Sequence, residues 1–551
     1  MDSDRSLVAR SPLGRKGTAA IIAVPTVFLT YFFLYPVVVI TVRGLTPAGV
    51  FDPSIFLDVF TDPTLQGVAA FTVWQAVLST LLTLVAGLPA AWVFARFDFP
   101  GKAAMRAATL VPFVLPTLVV GTAFLVLIGP RGVTGVDLTG TLAIILIAHV
   151  FYNYAIVVRG VGAYWERIDP SIEDAARSLG ASRVRAFLTV TLPLLRPAIA
   201  STSALVFLFS FTSFGVVLLL GGFTHSTIEV EIWRQTTAYL RLDVASTLAV
   251  LQLIGVGAIL ILYGRYQRRT TVQFAHRAAL PPRPITASDR LAVWGILGVS
   301  GVLVGTPLLI LIARSLVGPD GSIGFVNYIN LVDLPGRSAA FVAPSEAIAN
   351  SLGFALVAML IAVVIGVLAS AGLSYSRRRV ARTFDVFVML PLGTSAVTIG
   401  FGFLVALGRP VDLRTSLILI PIAHALVAIP FVVRTTSPSM GAVQHHLREA
   451  AAILGAKPAM AWWTIDLRLV SRSILVAAAF AFAISMGEFG ATSFITRPDT
   501  PTIPIAIFRL LGRPGSAPFG AAVSMSVVLM FITGIAVFII DSLRTPKAGE
   551  L

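Results

Sequence analysis

Few residues in this chain have the type and setting to carry chemistry. Glu488 stands in an apolar run near residues 474 to 495, where a carboxylate is costly and signals either a solute path or a partnered site. Ser213 stands in a similar run near residues 198 to 220. His149 and His424 lie inside apolar runs as well, but two histidines without neighbouring carboxylates make a poor metal set. Glu229 and Glu231 follow Gly221-Gly222 and read as solvated loop carboxylates, or else as a contact for an external partner. The chain has no cysteine, which excludes disulfides, thiolate metal sites and thiol nucleophiles. Its only Gly-Lys pair, Gly101-Lys102, lacks both flanks of a phosphate-cradling loop, so ATP is not expected to bind here. No nucleophile, base and metal recur near one depth, so the chain is not expected to be an enzyme or to hold a metal or cofactor.

The elements that must position these residues follow from composition. Of 551 residues 56% are hydrophobic and 12% charged, too little polar surface for a soluble core of that size. Twelve apolar runs are long enough to span a bilayer: near 20 to 42, 69 to 95, 107 to 128, 139 to 158, 198 to 220, 245 to 264, 291 to 313, 347 to 373, 384 to 407, 416 to 433, 474 to 495 and 520 to 540. The first is too long for a cleaved leader and reads as a retained span. Uniform apolarity without alternation requires helices rather than a barrel.

The formal net charge of +15 is placed by topology rather than by nucleic acid. Arg96, Lys102 and Arg106 share one side with Arg265, Arg268, Arg269, Arg277, Arg283, Arg290 and with Arg377, Arg378, Arg379 and Arg382. That side is expected to be cytoplasmic, with both termini on it and the chain in the plasma (inner) membrane. The opposite loops carry Asp52, Asp58, Asp62, Asp320 and Asp333.

The chain repeats itself. At an offset of 275 residues Ala148, His149, Val157, Val158 and Arg159 recur as Ala423, His424, Val432, Val433 and Arg434, and Phe214, Gly215 and Thr227 recur as Phe489, Gly490 and Thr502. Upstream, Gly87, Pro112 and Gly121 match Gly366, Pro391 and Gly400 at an offset of 279. The expected architecture is an all-α integral membrane protein of about twelve spans in two parallel six-helix repeats. The first repeat covers 1–264 and the second 291–551, joined by a cytoplasmic linker over 265–290 containing Pro281, Pro282 and Pro284. At the matching position Glu488 faces Ser213, so the halves differ there.

Between the fourth and fifth spans of each half runs a polar loop. In the first, Asp169 caps and Pro170 opens a short helix containing Asp174-Ala175-Ala176; Gly180 ends it, and a second stretch returns through Val190-Thr191-Leu192-Pro193. In the second, Glu449-Ala450-Ala451 is followed by Gly455 and Ile465-Asp466-Leu467.

These loops resemble the cytoplasmic signature of the membrane subunits of binding-protein-dependent ABC importers: Glu-Ala-Ala, three residues, Gly, nine residues, Ile, any residue, Leu-Pro. The fused pair, with Leu219-Leu220-Gly221-Gly222 and Gly487-Glu488-Phe489-Gly490, looks like the iron(III)- and thiamine-type importers. The resemblance implies a permease subunit that moves a small solute, of the iron(III) or thiamine class, inward by alternating access. It further implies a cytoplasmic ATPase dimer that uses ATP and Mg, and an extracytoplasmic solute-binding protein. Asp174, Ala175, Ala176, Gly180, Pro193, Glu449, Ala450, Ala451 and Gly455 would couple ATPase to membrane helices, and Glu488 and Ser213 are candidates for the solute pathway. Asp174 replaces the usual Glu, and Arg468 stands where the closing proline would be, which predicts a straighter second return helix. The rival class, an ion-gradient-driven secondary transporter, would call for ionisable residues at matched depths, and Ser213 opposite Glu488 counts against it.

Overall fold

The computed structural model describes residues 14–46, 54, 61–222, 224–270, 281–333, 342–408 and 412–544. Asp52, Asp58, Arg277 and the N-terminal Arg5 and Arg10 lie outside the described residues. Apart from a two-residue strand pair and one isolated bridge, the described secondary structure is helical. The first half contains α1 (Gly17–Leu45), α2 (Pro63–Arg96), α3 (Lys102–Val114), α4 (Thr117–Ile128), α5 (Leu142–Trp165), α6 (Pro170–Ser178), α7 (Arg183–Phe211), α8 (Ile228–Thr237) and α9 (Leu242–Thr270). The second contains α10 (Arg290–Ser315), α11 (Pro344–Tyr375), α12 (Arg378–Gly393), α13 (Ala396–Ala406), α14 (Leu419–Gly441), α15 (His445–Ile453), α16 (Pro458–Gly487), α17 (Ile503–Leu511) and α18 (Ser516–Arg544).

Among the described residues ten helices are long and apolar enough to cross a membrane, or twelve if each of two bent pairs counts as one span. The bent pairs are the expected third and ninth spans: α3 turns by 100° into α4, and α12 by 94° into α13. Each break falls beside Pro116 or at Gly393-Thr394-Ser395, and the Ser395 hydroxyl caps α13 by accepting from the Thr398 amide at 3.3 Å. The eleventh expected span also stops early: α16 ends at Gly487, and Glu488 has extended backbone at ψ 124°.

Local sequence explains where helices begin. Asp62 accepts from the amides of Thr64 and Leu65 while Pro63 fills the first position of α2, whose own N–H would have had no partner. The 265–290 linker is partly helical, since α9 runs to Thr270. Farther on, Arg283 and Pro284 pair with Phe97 and Asp98 at the end of α2, and the Arg283 guanidinium lies 4.7 Å from the centre of the Phe97 ring. There the Thr286 hydroxyl donates to Asp289 and, with Arg283 beside it, holds that carboxyl below the usual carboxylate range.

The helices divide into two compact units, and neither coincides with a sequence half of 1–264 or 291–551. One unit joins residues 57–231 to 251–324, so α10 packs with α2 and α5. Val293, Leu297 and Val304 lie against Ala90, Val93 and Phe94, and the Tyr154 and Ser300 hydroxyls are 2.6 Å apart. The other unit joins 1–56 and 232–250 to 325–551, so α1 packs with α11 and α13. There Ile22 faces Gly372, Pro36 and Ile40 face Gly402, and the Phe32 and Phe403 rings sit 6.4 Å apart. The halves record the repeat; the units record which apolar faces meet.

Within each unit the repeat is geometric. A Cβ on Gly87 would lie 2.7 Å from Val157, and one on Gly366 would lie 2.5 Å from Val432, so α2 crosses α5, and α11 crosses α14, at a matched glycine. The Ile228 amide donates to Thr72 and the Ile503 amide to Ser351, again at matched positions. Gly400 is tighter: its Cβ would stand 2.5 Å from the Ala491 backbone. Gly400→Ala should therefore destabilise the protein by about 1–3 kcal/mol through overpacking. Gly353→Ala, on α11 with open space around it, should cost less than about 0.5 kcal/mol. Thermal unfolding in detergent compares the two.

Candidate functional site

The two polar loops fold alike. In α6 the Asp169 carboxylate accepts from the Ser171 amide at 2.9 Å, and Pro170 occupies the first turn. Gly180 ends the helix at φ +92°, its amide donating to Arg177 and the Ala181 amide to Ala176. Gly455 ends α15 at φ +82° with the same two bonds, from Gly455 to Ala452 and from Ala456 to Ala451. This double closure takes up the last free carbonyls and requires the left-handed conformation that glycine tolerates. Ala175 and Ala450 are exposed and Ala176 and Ala451 half-buried; Asp174 is exposed, 3.5 Å from Arg177, and Glu449 is exposed. Just before each glycine stands a leucine open to solvent, Leu179 at 90% and Leu454 at 87% exposure. Two large apolar side chains are thus held out to solvent at matched positions.

The return helices share one feature. Both carry a π-turn at matched positions, Phe187–Thr191 in α7 and Trp462–Asp466 in α16. Arg468 in place of proline therefore leaves the π-turn itself unchanged. The half-buried Pro193 follows the π-turn directly, inside the continuous helix α7.

The buried polar residues form two matched clusters. His149 lies between Ser79, 2.9 Å from Nδ1, and Ser213, 2.8 Å from Nε2. His424 lies between Ser485, 2.7 Å from Nδ1, and Thr492, 2.8 Å from Nε2, with Glu488 Oε2 3.2 Å from that same nitrogen. The histidine in the second half therefore does have a carboxylate neighbour, which sequence distance concealed. Glu488 is not inside a helix: it stands at the end of α16, and its carboxylate accepts from the amides of Ala491 at 2.7 Å and Thr492 at 3.0 Å and from the Thr492 hydroxyl at 2.5 Å. It thus serves as a cap for the turn Thr492–Ile495, and Ser213 touches the matching histidine in the first half. No group of three His, Cys, Asp or Glu able to hold a metal occurs among the described residues.

Glu229 and Glu231 are not solvated loop residues. They lie in α8 at 0% and 7% exposure, Glu229 accepting from Gln252 at 2.9 Å and Glu231 from Ser226 at 3.4 Å. The one sequence signal was Gln252, a polar residue in an apolar span. Sequence reasoning also missed the Arg448–Asp466 ion pair, which joins α15 to the π-turn of α16 across 18 residues.

A family model described as the binding-protein-dependent transport system inner membrane component matches residues 84–272 and again 349–545. The thiamine transport system permease protein of Brucella abortus is 27% identical over 498 residues, 87% of each chain. Its namesake in Escherichia coli is 27% identical over 488 residues, 86% of this chain and 88% of the relative. A probable molybdenum ABC transporter permease protein of Haloferax volcanii is 35% identical over 216 residues, 38% of this chain and 78% of the relative. Among solved structures, a chain of a bacterial ABC transporter involved in the import of the acidic polysaccharide alginate aligns with a TM-score of 0.40 at 17% identity, covering 46% of this chain and 96% of that one.

Removing the Glu488 carboxylate would strand two buried amides and a histidine. Glu488→Ala should cost about 3–5 kcal/mol, as expected when one partner of a buried charged set is deleted, and Ser213→Ala about 1 kcal/mol for a single neutral hydrogen bond. Unfolding midpoints of the two variants test this ordering.

Proposed function

Because the chain belongs to the family of binding-protein-dependent transport system inner membrane components, as a multi-pass permease subunit of an ABC importer, we propose that its solute is thiamine and that its two loops receive the stroke of a cytoplasmic ATPase dimer. The loops carry the coupling reading: matched helices, α6 and α15, each closed by a left-handed glycine and each presenting an exposed leucine. A short stiff helix seated in a groove transmits displacement because neither its length nor its angle yields. Asp174, Ala175, Ala176 and Gly180, with Glu449, Ala450, Ala451 and Gly455, form the docked surface, and Pro193 lies on the return helix behind it.

Thiamine is favoured over iron(III) because the Brucella abortus and Escherichia coli permeases, which match over nearly nine-tenths of both chains, are thiamine permeases. The molybdenum relative matches about two-fifths of this chain. An extracytoplasmic binding protein delivers the solute, and the ATPase, using ATP and Mg, binds the side carrying Arg96, Lys102, Arg106 and Arg377 to Arg379, where both termini lie. ATP binding and hydrolysis shift the permease between outward- and inward-open states by differential affinity for the two.

Uptake of labelled thiamine into vesicles holding the permease, its ATPase and its binding protein tests this. ATP-dependent uptake that excess iron(III) and molybdate leave unchanged supports the proposal; uptake driven by an ion gradient without ATPase overturns it. The Leu179→Ser, Leu454→Ser pair should weaken ATPase association at least about tenfold, since a fully buried leucine contributes about 1.5–3 kcal/mol. The melting temperature should not change, because both leucines are exposed in the free chain.

A further inference from the structure

Each coupling loop must be fastened to the membrane helices behind it, or displacement at the loop is lost as slack. Three matched positions do the fastening in each half: the last turn of the second helix (Arg96 and Tyr375), the coupling helix (Glu173 and Arg448), and the last residue of the π-turn (Thr191 and Asp466). The chemistry at these positions is reversed between halves. In the first, Glu173 of α6 accepts from the Thr191 hydroxyl at 2.8 Å, while Arg96 donates to the Ile168 carbonyl at 2.8 Å and lies in the field of Glu173. In the second, the coupling helix carries the cation: Arg448 Nε donates to Asp466 Oδ1 at 2.8 Å, its Nη2 reaches the same oxygen, and its guanidinium lies 5.0 Å from the centre of the Tyr375 ring.

The two fastenings differ in stiffness. The side chains of Arg448 and Asp466 are 11% and 0% exposed, so their separation would leave two charges poorly solvated. Glu173 is half-buried and exposed enough to exchange a hydroxyl for water. We infer that the Arg448–Asp466 pair, backed by Tyr375, makes the second coupling loop the rigid one, so that ATPase displacement passes tightly to α16 and loosely to α7. This rests on the coupling role proposed above. Arg448 and Asp466 act as positioning residues, setting the register of α15 on α16 and touching neither solute nor nucleotide.

Two measurements separate the inference from its premise. Hydrogen exchange on the isolated permease needs no ATPase: Asp466→Asn should speed exchange across 445–456 at least tenfold, while Thr191→Val should change 170–181 less than threefold. Equal responses of the two loops overturn the inference whatever the protein transports. In assembled vesicles, Asp466→Asn should lower solute moved per ATP hydrolysed at least fivefold with the ATPase still bound; an unchanged ratio also overturns it. If wild type binds no ATPase, the premise fails, and the exchange result still decides the clasp. Should Asp466→Asn not fold, Arg448→Lys keeps the charge but loses the two-nitrogen grip, and should show the same exchange change. The decisive rescue is the triple variant Tyr375→Arg, Arg448→Glu, Asp466→Thr, which installs the first half's fastening in the second. It should slow exchange relative to Arg448→Glu alone, which sets two carboxylates together, and should leave the 445–456 loop as compliant as 170–181. A purely packing role for Arg448 predicts no such rescue, and its absence would overturn the assignment.

Discussion

A polypeptide in hydrocarbon has no water to accept its amide hydrogens, so a helix can stop there only where the protein supplies the missing partners. That constraint organises this molecule. α16 ends at Gly487, and the following turn is possible because Glu488 takes the amides of Ala491 and Thr492 while His424 and the Thr492 hydroxyl meet the same carboxylate. α13 starts after a bend of 94°, where the Ser395 side chain accepts the Thr398 amide of its first turn. Gly400 permits the two broken elements to touch, backbone against backbone, at a separation no side chain would allow. The polar residues that a functional reading singles out first are thus the ones that let helices break.

Duplication kept the geometry and released the chemistry. His149 and His424 occupy one place in two copies, yet one meets only the hydroxyls of Ser79 and Ser213 and the other a carboxylate beside those of Ser485 and Thr492. The loop helices α6 and α15 stand in the same relation to their π-turns, but Glu173 in one copy is answered by Arg448 in the other. Packing contacts are less free to diverge: Gly87 against Val157 and Gly366 against Val432 remain the same pair, because a crossing point tolerates little change in volume. A fused chain can hold such asymmetry permanently, since its two halves are not obliged to share one sequence.

Much of this was legible in the amino-acid sequence. Span length, the offset of 275 residues, and the loops closing at Gly180 and Gly455 depend on local composition and on backbone conformations that few residues adopt, so they can be read one window at a time. The same holds for the start of α2 at Asp62-Pro63. What was misread shares a cause. Glu229 and Glu231 read as solvated in the sequence because they follow a glycine turn, but Gln252, some twenty residues on, folds back to Glu229. His424 reads as lacking a carboxylate because Glu488 is 64 residues from it in the chain, though 3.2 Å from it in space.

By itself, then, the sequence determined that the chain is a duplicated all-helical membrane protein with two polar loops closed by glycine, because hydrophobic run length, repeat identity and turn chemistry are local properties of a chain. Only the tertiary structure decided that α1 packs with α11 and α13 while α10 packs with α2 and α5, that two apolar runs bend by about a right angle, and which charged residue answers which. Apolar helices in lipid carry no pairwise code as strong as their tendency to insert. Their partners are set by the shape of small-residue faces and by the few buried polar atoms that must find one another, and both become visible only when distant segments are brought together.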